Sequence, residues 1–582
     1  MRLKVLGDNI MLFSAQWWFL EPQRTVLLAL AFLLPAVLFP RASERLFLQL
    51  EGLFSRIAAR KYLAVILLFL FVIGLRVALL DKLPVPNPGI HDEFSYLLMA
   101  DTFAHGRVAN PPHPLWRSFE TFHVFWHPAY ASKYPPAQGV VLAFGQLLGH
   151  PWIGVLLSAA GMAGAIVWML QAWMPARWAL LAGVLAAAKL CVASYWMNSY
   201  WGGAVAAIGG AMLLGAFGRL RREPSLAVGV LLGLGLGILL NSRPYETLFF
   251  CVPVSIAFLV WSVKQAKQPA ARRASFRLVL LPASTILLLT AGSMLYYNAR
   301  TTGNPIEPPY AYAARLYSHG AMFVWQTPEP TLHYNNVDLA AFYDQFESKQ
   351  YDRTWSTVQS VFKEKLRRSA IVFLWPACWL LLPGLLFVYR DARLRLFLYT
   401  LLAILFAYAL VVWPGPHYLA PATAIIFALL VQAARHLRTM RVYRFPLGAA
   451  LSRALVLALV LDVWSLAAQR IGDPQGWGGW GLVDRADLQK TLESTPGKHL
   501  VLVRYGQGHS VHEEWVYNAA DIDACKVVWA RDLPGDVNAR LLDYYHDRTV
   551  WLVTPDSNQV SLLRPPLSAS QAKLRPVQSS PR

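Results

Sequence analysis

Charge is scarce in this chain. Asp, Glu, Lys and Arg make up 15% of its 582 residues, against about 25% in an average soluble domain, which excludes an ordinary water-soluble enzyme. Acidic residues are scarcest, 33 against 53 Lys and Arg, a formal net charge of +20. Four cysteines are too few for a disulfide framework. No Walker-type phosphate loop follows a strand, no Glu follows His123 to make a zinc-protease signature, and no internal repeat recurs at a fixed period. The chain is therefore not read as a nucleotide hydrolase, a zinc protease or a solenoid. The start, Met-Arg-Leu-Lys, lacks a convincing small-residue cleavage site and is read as retained.

What the sequence has in abundance is apolar length: 56% of residues are hydrophobic. Windows of about 19 residues mark spans near 62–80, 152–172, 177–197, 203–218, 225–240, 247–263, 278–296, 369–389, 395–412, 418–434 and 450–468. A further candidate, 25–39, is short and interrupted by Pro35. The fold class expected is an α-helical polytopic membrane protein of about eleven or twelve spans, with a body at 1–470. Gly229, Gly233 and Gly237 recur every four residues inside one span and read as a close helix-packing seam rather than a nucleotide loop.

The charge is distributed unevenly between the connections. Segments 41–61, 173–177, 219–223, 264–277, 390–395 and 435–453 carry 22 Lys and Arg against 4 acids. The alternate set, 81–150, 198–201, 241–246, 298–368 and 413–417, carries 13 of each. By the positive-inside rule the first set faces the cytoplasm and the second lies outside. Much of the net charge is thus a topology signal, and no nucleic-acid partner is expected. Two long extracytoplasmic loops, 81–150 and 298–368, result. From 471 to 564 the pattern changes to helix-like 484–495, strand-like 499–505 and 526–530, helix-like 537–546 and strand-like 549–554, a small extracytoplasmic α/β domain. The stretch 565–582, rich in Pro, Ser and Gln, reads as a disordered tail.

Chemistry-bearing residues collect on the outer side. His91-Asp92-Glu93-Phe94-Ser95-Tyr96 opens a helix-compatible run soon after the 62–80 span. Two adjacent carboxylates beside a membrane are costly unless hydrated or used; an acidic first turn of a helix is the structural alternative. Before the next span comes Ser132-Lys133-Tyr134-Pro135-Pro136. There a lysine can meet a phosphate as a point charge, or snorkel within an aromatic belt. Arg243 and Tyr245 stand in Asn241-Ser242-Arg243-Pro244-Tyr245-Glu246, where the arginine suits two phosphate oxygens or pairs with Glu246. His417-Tyr418 and the aromatics Trp196 to Trp201 suit either a sugar pocket or the membrane interface. His123 and His127, at i,i+4, leave a divalent metal open, although Pro128 argues against a helix there. His512-Glu513-Glu514 reads as a solvated polar stretch.

Asp92-Glu93 with Tyr96, and Ser132-Lys133-Tyr134-Pro135-Pro136 as a Lys-Pro-Pro-like element with an inserted Tyr, resemble the C-type, polyprenyl-phosphate-dependent glycosyltransferases, among them the lipid A aminoarabinose transferases and protein O-mannosyltransferases. The motifs cover about 60 residues, and the layout with a C-terminal outer domain is similar over most of the chain. The resemblance implies a GT-C-like fold in the inner (plasma) membrane with its active site outside the cytoplasm. It implies transfer from a polyprenyl-phosphate sugar to a hydroxyl of an envelope glycan, lipid or protein, with Asp92 as base of an inverting displacement and Glu93 orienting a substrate. Tyr96, Lys133 and Tyr134 of the resembling motifs are the substrate-binding candidates, joined by Arg243, Tyr245, His417 and Tyr418 on residue type and outer-face position. No cofactor is implied with certainty, some relatives using divalent metals. The rival expectation is a transporter or flippase of a lipid-linked or anionic solute, which favours charge near the midplane. Within the spans only Arg76, Lys189 and Asp462 are ionised candidates.

Overall fold

The computed structural model describes residues 40–266, 275–318, 322–326, 332–347, 354–374, 388–443, 446–471 and 483–565, with a few isolated positions besides. Among them, five helices are long and apolar enough to cross a membrane: Lys61–Ala78, Pro151–Leu170, Pro244–Gln265, Phe276–Thr302 and Pro416–Leu437. Shorter apolar helices span Ala204–Leu220, Leu226–Ser242, Arg395–Leu410 and Leu447–Ala458. These match expected spans in position. The expected span at 369–389 coincides with described structure at its start, the end of the helix Trp355–Phe373, and at 388–389, while 375–387 lie outside the described residues. Most of the candidate at 25–39 and the tail from 566 lie outside them as well.

Pro151–Leu170 is the central post, apolar on every side and largely buried, as expected of a helix surrounded by others. The glycine seam works as the sequence suggests. A Cβ on Gly229 would stand 2.5 Å from the Leu278 carbonyl and 2.8 Å from Val279 Cα, so only glycine lets Phe276–Thr302 pack this closely.

The two sets of connections separate to opposite ends of this bundle. At one end Arg76 donates to the carbonyls of Leu83 and Pro84 and to Asn198, and stacks over Trp152. At the other, Arg219 and Arg222 donate to the carbonyls of Trp168 and Ala172. The expected connection 41–61 proves mostly helical, Pro40–Ala59. Glu44 and Glu51, two turns apart on one face, pair with Arg453 and Arg438, while Leu46, Leu50 and Leu53 are exposed.

The first long loop carries the helix His91–Ala104, a short hairpin of Val124–Phe125 with Ala131–Ser132, and the helix Pro136–Leu147. The second includes Pro309–Tyr317 and Val337–Ala340, the latter continuing as a wider turn to Glu347. The C-terminal strands lie in the spatial order Val527–Arg531, His499–Val503, Thr549–Thr554, Gln559–Arg564. The first three are parallel and the last, not separately expected, is antiparallel. The flanking helices are Val483–Ser494 and Asp536–Tyr544. This sheet is not a free-standing appendage. Leu500, Leu502, Val528 and Tyr545 share one buried cluster with Leu98, Phe119, Trp126 and Tyr130 of the first loop.

Candidate functional site

The helix His91–Ala104 begins without a side-chain N-cap of the usual kind, since Ile90 precedes it. Glu93 supplies what is missing. Its carboxylate accepts N–H bonds from Gly89 (2.8 Å), Ile90 (3.2 Å) and Tyr200 (3.0 Å). Only 2% exposed, the carboxyl is pushed up to about 7 by burial, against the opposing pull of those amides. Glu93 was expected beside Asp92 as a substrate-orienting group. Its oxygens are instead occupied in starting the helix and tying it to the turn before Ala204.

Asp92 points elsewhere, because neighbours on a helix project about 100° apart. Its side chain is 25% exposed, its Oδ2 lies 3.8 Å from His123 Nδ1, and its Oδ1 accepts the phenol of Tyr134. Tyr134 Oη is also 3.1 Å from His123 Nδ1. The hairpin behind these residues is held by hydroxyls. Ser95 donates to the His123 carbonyl (2.6 Å) and lies 2.7 Å from Ser132 Oγ, while the Lys133 N–H also reaches that carbonyl (3.2 Å). Tyr134 stacks on Tyr96 with ring centroids 4.5 Å apart.

Lys133 Nζ stands 5.3 Å from the Tyr134 ring centre and 5.4 Å from that of Tyr310. Desolvation pushes its ammonium down to about 8, opposed by the charges of Asp92 and Glu347. Asp92 and Lys133 therefore share one recess, with Tyr134, the residue inserted into the Lys-Pro-Pro-like element, between them. On the bundle side the Arg243 guanidinium lies 5.0 Å over the Tyr418 ring. The charges of Asp92 and Arg243 both reach the phenols of Tyr96 and Tyr418. No ion pair joins Arg243 to Glu246 among the described residues, although the two lie within electrostatic reach.

Two expected residues stand farther back. Tyr245 turns away to donate to the Ala407 carbonyl (3.1 Å) and packs 4.8 Å from Phe323. His417 sits behind Tyr418, edge-on to Trp201 at 4.5 Å. The pair His123 and His127 does not share a helical face. A hairpin strand separates them, leaving His123 buried beside Asp92 and His127 exposed against Trp116. Among the described residues no group of three or more His, Cys, Asp or Glu is placed to hold a metal ion.

Sequence reading missed the contribution of the C-terminal region. His512 lies against His91 with ring centroids 6.0 Å apart and meets Phe346 edge-on at 4.7 Å. Its imidazole is held below the usual histidine range by burial, with the charge of Asp92 opposing. Glu514 is not solvated. It is 3% exposed and paired with Arg531, which also reaches Asp338 (2.5 Å) and the Glu120 carbonyl (2.7 Å). His91 is 2.9 Å from the Tyr517 hydroxyl. The crowding of histidines in the first loop was the available signal; nothing local marked His512.

No family model and no curated protein matches the chain. Among solved structures, ArnT from Cupriavidus metallidurans in the apo state is similar at a TM-score of 0.45 and 14% identity, over 84% of this chain and 93% of that one. The Archaeoglobus fulgidus oligosaccharyltransferase tethered to an acceptor peptide is similar at 0.44 and 13% identity, over 76% of this chain and 61% of that one. The oligosaccharyltransferase AglB of the same organism, in complex with an inhibitory peptide and a dolichol-phosphate, is similar at 0.37 and 12% identity, over 75% and 62%.

Proposed function

We propose that the protein is a membrane-embedded glycosyltransferase. It moves a sugar from a polyprenyl-phosphate carrier to a hydroxyl of an envelope glycan, lipid or protein on the extracytoplasmic face of the inner membrane. The observation that carries this reading is the recess itself: a partly buried carboxylate, Asp92, within electrostatic reach of Lys133 and sharing the phenols of Tyr96 and Tyr418 with Arg243, at one end of an apolar bundle. The motif resemblance of Asp92-Glu93 and the Lys133 element supports it, as does the charge asymmetry, which assigns that end to the outside.

The chemistry follows from these groups. The acceptor O–H gives its proton to Asp92 as its oxygen bonds the anomeric carbon. The bond from that carbon to the phosphate oxygen breaks with its electron pair left on phosphate, and the configuration inverts. Lys133 and Arg243 stabilise the negative charge gathering there, which fixed cations do best where water is sparse. A lipid carrier also suits the bundle. Pro244–Ala266 packs on Arg395–Leu410 and Phe276–Thr302 on Leu226–Ser242, and both present exposed apolar faces at Leu248, Ile256, Leu288 and Leu289. Arg243 stands at the start of the first and Tyr297 near the end of the second. A polyprenyl chain lying along this surface brings its phosphate to the recess.

The test is depletion of polyprenyl-phosphate sugars from a native lipid extract, with endogenous acceptors present, by purified wild-type protein and by Asp92→Asn, followed by mass spectrometry. Loss of one donor with matching acceptor gain, absent in the folded variant, supports the reading. No turnover by either protein with a competent acceptor pool sinks it and favours transport, which a liposome flux assay would then measure.

A further inference from the structure

We propose that Tyr134 and His123 form a hydrogen-bond chain that positions the Asp92 carboxylate, with His123 acting only through Tyr134. This rests on Asp92 being the base.

The direction of the chain is set by counting protons. A phenol has one hydrogen to give, and Tyr134 gives it to Asp92 Oδ1. The 3.1 Å contact with His123 Nδ1 must then run the other way, with the imidazole carrying its proton on Nδ1 and donating to the phenol oxygen. That arrangement needs a neutral ring with one fixed tautomer. Burial, the charge of Lys133 and the neighbouring His91 and His512 all hold His123 well below the usual histidine range, which favours the neutral ring that this direction of donation calls for.

The backbone offers a second, independent observation. His123 has φ of +61°, a left-handed conformation uncommon for any residue but glycine, asparagine, aspartate or histidine. It is held there by the Ser95 hydroxyl and the Lys133 N–H on its carbonyl. Strained backbone persists where the surroundings over-determine it, and such positions cluster at functional sites. Here the strain aims the imidazole back along the hairpin at Tyr134. Tyr134 in turn is immobilised by stacking on Tyr96 and by the Tyr297 hydroxyl on its carbonyl (3.2 Å). With Oδ1 held by the phenol and Oδ2 3.8 Å from His123 Nδ1, beyond hydrogen-bond reach, Oδ2 is the oxygen left to take the acceptor proton. Glu93, by contrast, has both oxygens engaged by backbone amides and needs no such chain.

The experiment is a double-mutant cycle in the full-length protein, read as kcat and donor KM separately, with Asp92→Asn as reference. Tyr134→Phe keeps the ring stacked on Tyr96 and deletes the hydroxyl; His123→Gly suits the left-handed backbone and deletes the imidazole. Each is expected to lower kcat by about 10- to 100-fold, the usual cost of a misplaced reacting group, with donor KM within about twofold. The double variant should match Tyr134→Phe alone, because a residue acting through another adds nothing once that other is gone. Independent, multiplying losses, an unchanged kcat, or a loss confined to donor KM would overturn the chain. An inactive Asp92→Asn beside a fully active Tyr134→Phe sinks the chain and leaves the transferase standing. If wild-type protein turned over no donor, the functional reading would fall, and the chain would still be decided by a cryo-EM structure of Tyr134→Phe, where an unmoved Asp92 carboxylate refutes it.

Discussion

Arg531 of the C-terminal sheet forms an ion pair at 2.5 Å with Asp338 of the second long loop. The same guanidinium holds the buried Glu514 and the Glu120 carbonyl, so one side chain joins three segments far apart in sequence. Arg531→Met leaves two carboxylates without their cation. Breaking a buried pair in this way costs about 3–5 kcal/mol, and thermal unfolding of the detergent-solubilised protein should show a lowered midpoint, with proteolysis releasing the C-terminal region first. An unchanged midpoint would mean that the network adds nothing to docking.

Asp92 and Glu93 should separate cleanly under mutation. Asp92→Asn is expected to lower turnover by about 10²- to 10⁴-fold, the range for loss of a positioned base, with little change in melting temperature. Glu93→Ala strands three buried amides at about 1–3 kcal/mol each at most, so it should melt early and be hard to purify. Equal effects of both changes on stability would contradict the different placement of their oxygens.

Donor binding should fall as pH rises through about 8. Desolvation lowers Lys133 to about 8, so its ammonium is charged below that pH and lost above it, and with it the attraction for the donor phosphate. Donor KM measured from pH 6.5 to 9.5 should climb on the alkaline side, and Lys133→Met should have a high donor KM with that limb removed. A pH-independent donor KM in the wild-type protein would remove Lys133 from the phosphate site.

His512 comes to the surroundings of Asp92 from the C-terminal region, beside His91 and Phe346, and on the proposed function it is expected to meet the acceptor rather than the carrier. His512→Ala should raise acceptor KM by about tenfold, a loss of roughly 1.4 kcal/mol, and leave donor KM unchanged. A shift in donor KM instead would place the ring on the wrong side of Asp92.

The glycine seam gives a prediction within the bundle. Gly229→Leu drives a side chain into the backbone at Leu278 and Val279, and overpacking of this kind costs about 1–3 kcal/mol or more. Thermal stability should drop while Gly292→Ala, with open space around its Cβ, leaves it unchanged.

Much of the architecture was legible because apolar length and loop charge are one-dimensional signals. The apolar helices at 62–80, 152–172 and 225–240 needed only a window, and the seam at Gly229, Gly233 and Gly237 only a period. Helix 40–59 escaped because its charges looked like loop charges; Glu44 and Glu51 face Arg453 and Arg438, residues that no local pattern associates with them. In the recess, Asp92 and Lys133 were legible from residue type and place. Their separation from Glu93 was not, since the rotation of a helix about its axis decides which of two adjacent carboxylates is buried. Tyr134 looked like an interruption of a motif, and only its stacking on Tyr96 shows why a ring belongs there. His512 and Glu514 were misread for the same reason as the helix: a short polar run looks solvated until its distant partner is known.

The packing of Leu500, Leu502 and Val528 against Phe119, Trp126 and Tyr130 sets an order of events in the life of the chain. Synthesis runs from the N-terminus, so the first loop is made well before the strands that cover it. Until those strands arrive, its aromatic underside is bare and Asp92 lacks the wall bearing His512. The surroundings of Asp92 are thus completed last: a nascent or prematurely stopped chain holds the carboxylate and its cations but lacks the wall that the C-terminal strands lay over the first loop.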